Sequence, residues 1–153
     1  MNCCYLVNMT TNQTVQLVNK MFLDYQGTDP NELKKRRSLG FALIDAIQYK
    51  KYNWIPKLLE LGADLSTINS SGENALFLAV KQQNEEIINL LLKHANKNPE
   101  IMNPALNYAI EKSNLKLVNL LLENGADPFY SDETLRTAFQ IGNDQIIAAL
   151  LGN

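Results

Sequence analysis

Apolar residues along this chain return in a fixed block. Counted from the leucines Leu43, Leu76, Leu106 and Leu135, an alanine stands three residues on each time: Ala46, Ala79, Ala109 and Ala138. Eleven and twelve residues on stands an apolar pair: Trp54-Ile55, Ile87-Ile88, Leu117-Val118 and Ile146-Ile147. Fifteen and sixteen on stands a second: Leu58-Leu59, Leu91-Leu92, Leu121-Leu122 and Leu150-Leu151. The leucines lie 33, 30 and 29 residues apart. A leucine and an alanine three apart share one face of a short helix. Two apolar pairs four apart give a second helix a broad stripe. Neither stripe is covered within its own unit, so the pattern predicts helix-turn-helix units that stack on one another. On this pattern Trp54 falls on a buried core position.

The ends of these helices are readable too. Leu58-Leu59-Glu60-Leu61-Gly62-Ala63-Asp64 returns as Leu121-Leu122-Glu123-Asn124-Gly125-Ala126-Asp127, with a damaged copy at Leu91-Leu92-Lys93-His94-Ala95-Asn96-Lys97. Gly62 and Gly125 predict left-handed helix ends. Ala95 in the same geometry predicts strain of about 1 kcal/mol. Asn74 is placed to cap a first helix, Asn103 to cap one with Pro104 at its first position, and Asp132 to cap the fourth. Asn53 as a cap puts Pro56 in a first helical turn, where its missing N–H costs nothing.

The repeated phrase and the leucine-alanine spacing resemble the ankyrin repeat, over residues 39–153. The resemblance implies an all-α helix-turn-helix solenoid of four units, 39–71, 72–101, 102–131 and 132–153, after an N-terminal extension and degenerate helical cap at 1–38. Ankyrin units carry Thr-Pro-Leu-His at the first helix. Here the four copies read Phe41-Ala42-Leu43-Ile44, Asn74-Ala75-Leu76-Phe77, Pro104-Ala105-Leu106-Asn107 and Glu133-Thr134-Leu135-Arg136. The usual hydrogen-bonding residues are missing from their places, which predicts lower stability than in an idealised array. The turns into the third and fourth units are three and four residues shorter, which argues against regular hairpins there.

Before the repeats, Val15, Val18, Phe22 and Tyr25 share one face of a helix over 14–26 that Gly27 stops. Asp29-Pro30-Asn31-Glu32 then reads as a new helix start. Residues 1–11 read as extended or unstructured. At the other end, Asp144 to Leu151 is apolar with few charges, whereas a terminal repeat is expected to turn a polar face outward. Self-association through this end is therefore an alternative to a monomer.

Charge and chemistry narrow the function classes. Residues 1–57 carry eight Lys/Arg against four Asp/Glu, and residues 58–153 carry six against twelve. The only cysteines, Cys3 and Cys4, are adjacent and cannot build a disulfide framework, which points to a reducing compartment. Cytoplasmic placement follows, with export into a host cell left open; the first 25 residues lack a secretory pattern. His94 is the one histidine, too little for a nucleophile pair with the distant cysteines or a Cys/His zinc site. No phosphate-binding glycine loop occurs. The reading is of a non-enzyme with no catalytic, cofactor-binding or metal-binding residues and no cofactor. Lys34-Lys35-Arg36-Arg37 is the one dense basic run; without stacking aromatics beside it, a solvated helix face is the plainer reading, and no nucleic acid or membrane partner is expected.

The resemblance implies a protein partner bound through the concave face, by first-helix ends and turn tips. By position the turn residues are Ser70, Ser71 and Glu73; Ile101, Met102 and Asn103; and Phe129, Tyr130 and Asp132. The helix-end residues are Gln48 and Tyr49; Lys81 and Gln82; Glu111 and Lys112; and Gln140 and Ile141. Phe129-Tyr130 and Ile101-Met102 stand out as large apolar pairs at expected loop tips, where aromatic anchors dominate interface energy. The alternative is that the shortened turns fold these pairs back over the stack. The function expected is an adaptor, a blocker or a translocated factor acting by docking.

Overall fold

The computed structural model describes residues 31–152, with side chains from residue 38 onward. The helix expected over 14–26, Cys3 and Cys4, the start at Asp29-Pro30 and the side chains of Lys34–Arg37 lie outside the described residues. The helices are α1 (Asn31–Gln48), α2 (Ile55–Glu60), α3 (Ala75–Lys81), α4 (Glu85–His94), α5 (Pro99–Glu111), α6 (Leu115–Glu123), α7 (Asp132–Ile141) and α8 (Asp144–Leu151). A 3-10 turn, Tyr52–Trp54, precedes α2. Among the described residues there is no strand, only an isolated antiparallel bridge between Ile68 and Asn74. No described helix is long and apolar enough to cross a membrane. The chain divides into two compact units between Asp64 and Leu65.

In the first unit α1 packs on α2. Leu43, Ala46 and Ile47 meet Ile55, Leu58 and Leu59 in the core, as the repeat pattern requires. α1 runs unbroken through the expected 38/39 junction. Two local readings need correction. Asn53 caps nothing: it lies inside the 3-10 turn, and Pro56 sits in the first turn of a helix that Trp54 leads into. Trp54 therefore occupies the helix entry rather than the packed face, and it is only partly buried while Ile55 is fully so.

In the second unit α3 packs on α5 and α5 on α7, forming a row of first helices. α6 packs on α8 behind them, and each first helix rests on the second helix that follows it. Leu76, Ala79, Leu106, Ala109 and Ala138 fill the first row, and Ile87, Ile88, Leu91, Leu92, Val118, Leu121, Ile146 and Leu150 the second. Each fully buried leucine or isoleucine contributes roughly 1.5–3 kcal/mol. Glu85 and Glu86 open α4, where its dipole favours them, and Lys116 on α6 bridges to Glu85 at 2.5 Å.

The first helices share an ending that the apolar pattern does not reveal. Lys50, Gln83, Ser113 and Gly142 follow them at the repeat spacing, and all four are left-handed, with φ of 57°, 56°, 52° and 69°. The repeated alanines close these turns. Lys51 N donates to Ala46 O, Asn84 N to Ala79 O, Asn114 N to Ala109 O, and Gly142 N to Ala138 O. The next residue caps the second helix in three units: Asn84, Asn114 and Asn143 accept from Ile87 N, Leu117 N and Ile146 N. Second helices end as expected at Gly62 and Gly125, which have positive φ; Ala63 N donates to Leu58 O and Ala126 N to Leu121 O. At Gly125 a Cβ would also strike the Lys97 side chain at 2.9 Å. Ala95 is not strained: its φ is −73°, and the left-handed turn has moved on to Asn96 and Lys97.

That displaced turn changes the third unit. α5 starts at Pro99, capped by Asn98, whose side chain accepts from Glu100 N at 2.9 Å. Pro104 then falls inside the helix, and Asn103 is not its cap. An interior proline costs about 3 kcal/mol. Burying Ile101 and Met102, 6% and 0% exposed, returns roughly 1.5–3 kcal/mol each. The Asn98 cap adds about 1 kcal/mol more, so the longer helix wins.

Candidate functional site

The three turns that lead into the first helices of the second unit differ in form. The first, 65–74, is a small finger organised by one side chain. Asn69 Oδ1 accepts from Ser71 N and Glu73 N, both at 2.9 Å, and its Nδ2 donates to Glu73 Oε2 at 3.1 Å. Gly72 takes the left-handed position. Ser70 and Ser71 are exposed, as expected for a tip, and Ile68 beside them is 55% exposed. Asn74 closes the finger: it caps α3 through Phe77 N at 2.8 Å and donates to Ile101 O of the next unit at 2.9 Å.

The second turn presents no tip. Ile101, Met102 and Asn103, expected as exposed turn residues, are buried in α5. That placement removes them from the accessible surface. Asn103 does something else: its Nδ2 donates to Asp127 O at 2.8 Å, and its Oδ1 accepts from Asp127 N at 3.2 Å.

The third turn, 127–131, is the counterpart. Asp127 Oδ1 accepts from Phe129 N at 2.9 Å, and Tyr130 N donates to Asp127 O. At the far side Thr134, fully buried, donates to Asn107 Oδ1 at 2.7 Å and lies 3.3 Å from Ser131 Oγ. Two asparagines of α5, Asn103 and Asn107, thus hold both ends of the turn. Between them Phe129 and Tyr130 are 65% and 51% exposed. Asp132 is exposed but caps nothing; Ser131 occupies the cap position of α7, without a capping side-chain bond.

The asparagines also answer the expected loss of ankyrin-type hydrogen bonds. Asn74 and Asn107, standing where the motif has Thr and His, supply a ladder between units together with Asn103 and Thr134. The buried side chains of this ladder, Asn74, Asn103 and Thr134, each have a partner, whereas the buried Thr67 hydroxyl of the first finger has none and carries the cost of an unmade bond.

Along the first-helix row, Lys81 and Glu111 with Lys112 end α3 and α5 in exposed positions, and Gln82 is partly exposed. Gln140 and Ile141 end α7, also exposed. Lys81 Nζ lies 2.8 Å from Glu73 Oε1. That bond, with the one from Asn69, holds the Glu73 carboxyl below its ordinary range, and the same contact raises Lys81. Phe77 and Tyr108 meet edge to face, centroids 5.4 Å apart at 72°, and Lys112 Nζ lies 5.4 Å from the Tyr108 ring. The sequence reading missed this pair; its signal was two aromatics on first helices at positions the apolar core does not use. Phe139, 58% exposed on α7, was missed likewise. In the first unit, Gln48 and Tyr49 are exposed at the end of α1. His94 is exposed, with Nδ1 3.0 Å from Leu90 O. No group of three His, Cys, Asp or Glu side chains gathers among the described residues.

A family model described as ankyrin repeats (3 copies) matches residues 6–100 and 43–132. A fowlpox virus (strain NVSL) protein named for ankyrin repeats is 35% identical over 88 residues, 54% of this chain and 12% of its own length. The p105 subunit of nuclear factor NF-kappa-B from Rattus norvegicus is 31% identical over 54% of this chain and 9% of its length. An Acanthamoeba polyphaga mimivirus protein named for ankyrin repeats is 32% identical over 56% and 12%. The chain thus spans about a tenth of the length of these relatives. Proteins with such repeats generally act by binding other proteins, and the family is generally non-enzymatic.

Proposed function

We propose that this chain, which belongs to the ankyrin-repeat family, is a docking module that binds another protein through its first-helix row and turn tips. It works as an adaptor, a blocker or a translocated factor, in a reducing compartment such as the cytoplasm. The observation that carries the reading is the third turn. Two of the largest exposed aromatics, Phe129 and Tyr130, stand on a turn already fixed at both ends by Asn103 and Asn107. A surface ordered before binding loses less entropy on binding. Buried aromatics of this kind supply most of the energy of many interfaces. Ser70, Ser71, Glu73, Lys81, Glu111, Lys112 and Gln140 form the polar rim of the proposed surface.

Affinity capture from the native host tests this, with wild type beside Phe129→Ala/Tyr130→Ala at matched thermal stability. A protein retained by wild type and lost by the variant is the expected result. Equal capture by both moves the site off the third turn.

One observation supports self-association as a second reading. On α7 and α8, Phe139, Ile141 and Leu151 are 58%, 39% and 46% exposed. Light scattering over a range of concentrations decides: a constant monomer mass removes it.

A further inference from the structure

We infer that the third turn receives a basic segment of its protein partner, a Lys or Arg side chain laid against Phe129 and Tyr130 with its charge toward Asp132 and Glu133. This rests on the docking reading above and specifies the partner's chemistry.

Along the chain the turn is acidic; the basic groups near it are Lys97, whose side chain lies against Gly125, and Arg136, one helical turn past Asp132. From Leu117 to Leu135 the chain carries Glu123, Asp127, Asp132 and Glu133 and no Lys or Arg. Asp132 and Glu133 are exposed and make no ion pair or side-chain hydrogen bond among the described residues. Arg136, one helical turn on, pairs with neither. Residues 65–153 as a whole carry six Lys/Arg against ten Asp/Glu, so the field that guides an approaching partner favours a cation.

The aromatics add a selection that carboxylates alone lack. A guanidinium or ammonium group is attracted to the face of a tyrosine or phenylalanine ring. An aliphatic lysine or arginine stem covers apolar surface while its charged head stays at the polar edge. Phe129, Tyr130, Asp132 and Glu133 lie within five consecutive residues, on a turn and the first turn of α7. The Asn103 and Asn107 bonds keep that turn from rearranging to bury the rings. An acidic partner segment meets repulsion at the same place. The paired glutamates Glu85 and Glu86 on α4, freed from the Lys116 bridge by Lys116→Ala, provide an internal control: they then have the charge and no exposed large apolar residue beside them.

The test is an amide-resonance titration of the isotopically labelled chain with two probes, acetylated tri-arginine amide and acetylated tri-glutamate amide. In the Lys116→Ala chain tri-arginine is expected to shift residues 129–133 more than residues 85–87, and tri-glutamate to leave 129–133 unmoved. Asp132→Asn/Glu133→Gln and, separately, Phe129→Ala/Tyr130→Ala are each expected to weaken tri-arginine binding at the turn about ten-fold. Spectra of both variants, dispersed as in wild type, establish that the fold is kept. Equal shifts at 85–87 and 129–133, or a tri-glutamate response at the turn, overturn the inference. The two readings fail separately. A captured partner lost with Phe129→Ala/Tyr130→Ala but kept by Asp132→Asn/Glu133→Gln leaves docking standing and removes the basic segment. Tri-arginine selectivity at 129–133 without any captured partner leaves the turn's preference for a cation standing and removes the docking reading, and with it the partner segment.

Discussion

Two shortened turns in the second unit carry large apolar pairs and treat them oppositely. The turn after α4 buries Ile101 and Met102; the turn after α6 leaves Phe129 and Tyr130 in solvent. Length does not separate them, since both are short. The difference lies in where the next helix can begin. After α4, Asn98-Pro99 gives a cap and a first-turn proline, and α5 starts early enough to wind Ile101 and Met102 into the core. After α6, Asp127 is engaged by Asn103 and spends its carboxylate on Phe129 N, so Pro128 to Tyr130 stay out of the helix. The early helix also puts Asn103 where it can hold the later turn. One turn is consumed to build the clamp for the other.

The largest effect that sharpens this comparison is truncation within each pair. Met102→Ala should destabilise by about 2–5 kcal/mol, because it removes a fully buried side chain and leaves a cavity. Phe129→Ala should stay within about 0.5 kcal/mol, as exposed positions do. Urea denaturation of the two variants measures both. Comparable losses at the two sites break the distinction.

Next comes the clamp. Asn103→Ala removes one bond from Asp127 O, which keeps Tyr130 N–H, and the bond from Asp127 N, and an unmade hydrogen bond at a part-buried group costs about 1–3 kcal/mol. The loss should be about 2 kcal/mol in urea. Amide exchange should speed up at 127–131 and stay unchanged at Asn69–Gly72 of the first finger, whose bonds are its own. Unchanged exchange at 127–131 would falsify the role given to Asn103.

What the sequence could say about these turns has a physical boundary. The leucine-alanine spacing and the apolar pairs were legible because burial demands apolar residues wherever helices meet. Phe129 and Tyr130 were legible only as an apolar pair at an expected tip, on the same footing as Ile101 and Met102, because a local pattern does not say which shortened turn folds back. The start of α5 was not. Asn98-Pro99 and Asn103-Pro104 are both sound helix starts, and the choice rests on whether Ile101 and Met102 find cover in three dimensions. The asparagine ladder was hidden for the same reason. Asn74 and Asn103 bond to backbone atoms 27 and 24 residues away, and Asn107 to a side chain 27 away. Trp54 was misplaced because the pattern assumes that all four second helices start alike, whereas α2 is entered through a 3-10 turn.

The smallest effect concerns the left-handed ends of the first helices, where the two sides of the comparison share one geometry and differ in residue. The fourth unit uses Gly142; the third, whose helix carries the clamp, uses Ser113 at φ 52°. A non-glycine residue there is strained by about 1 kcal/mol, and glycine loses more backbone entropy on folding, about 0.5–1 kcal/mol relative to alanine in ordinary positions. The terms oppose, so Ser113→Gly should stabilise only modestly, by no more than about 1 kcal/mol. Gly142→Ala should destabilise by a similar amount, since nothing lies within 4 Å to clash and only the backbone term acts. Thermal melts of the pair read both signs. If Ser113→Gly lowers the melting temperature, serine's own conformation there is relaxed, and α5 holds its end without strain.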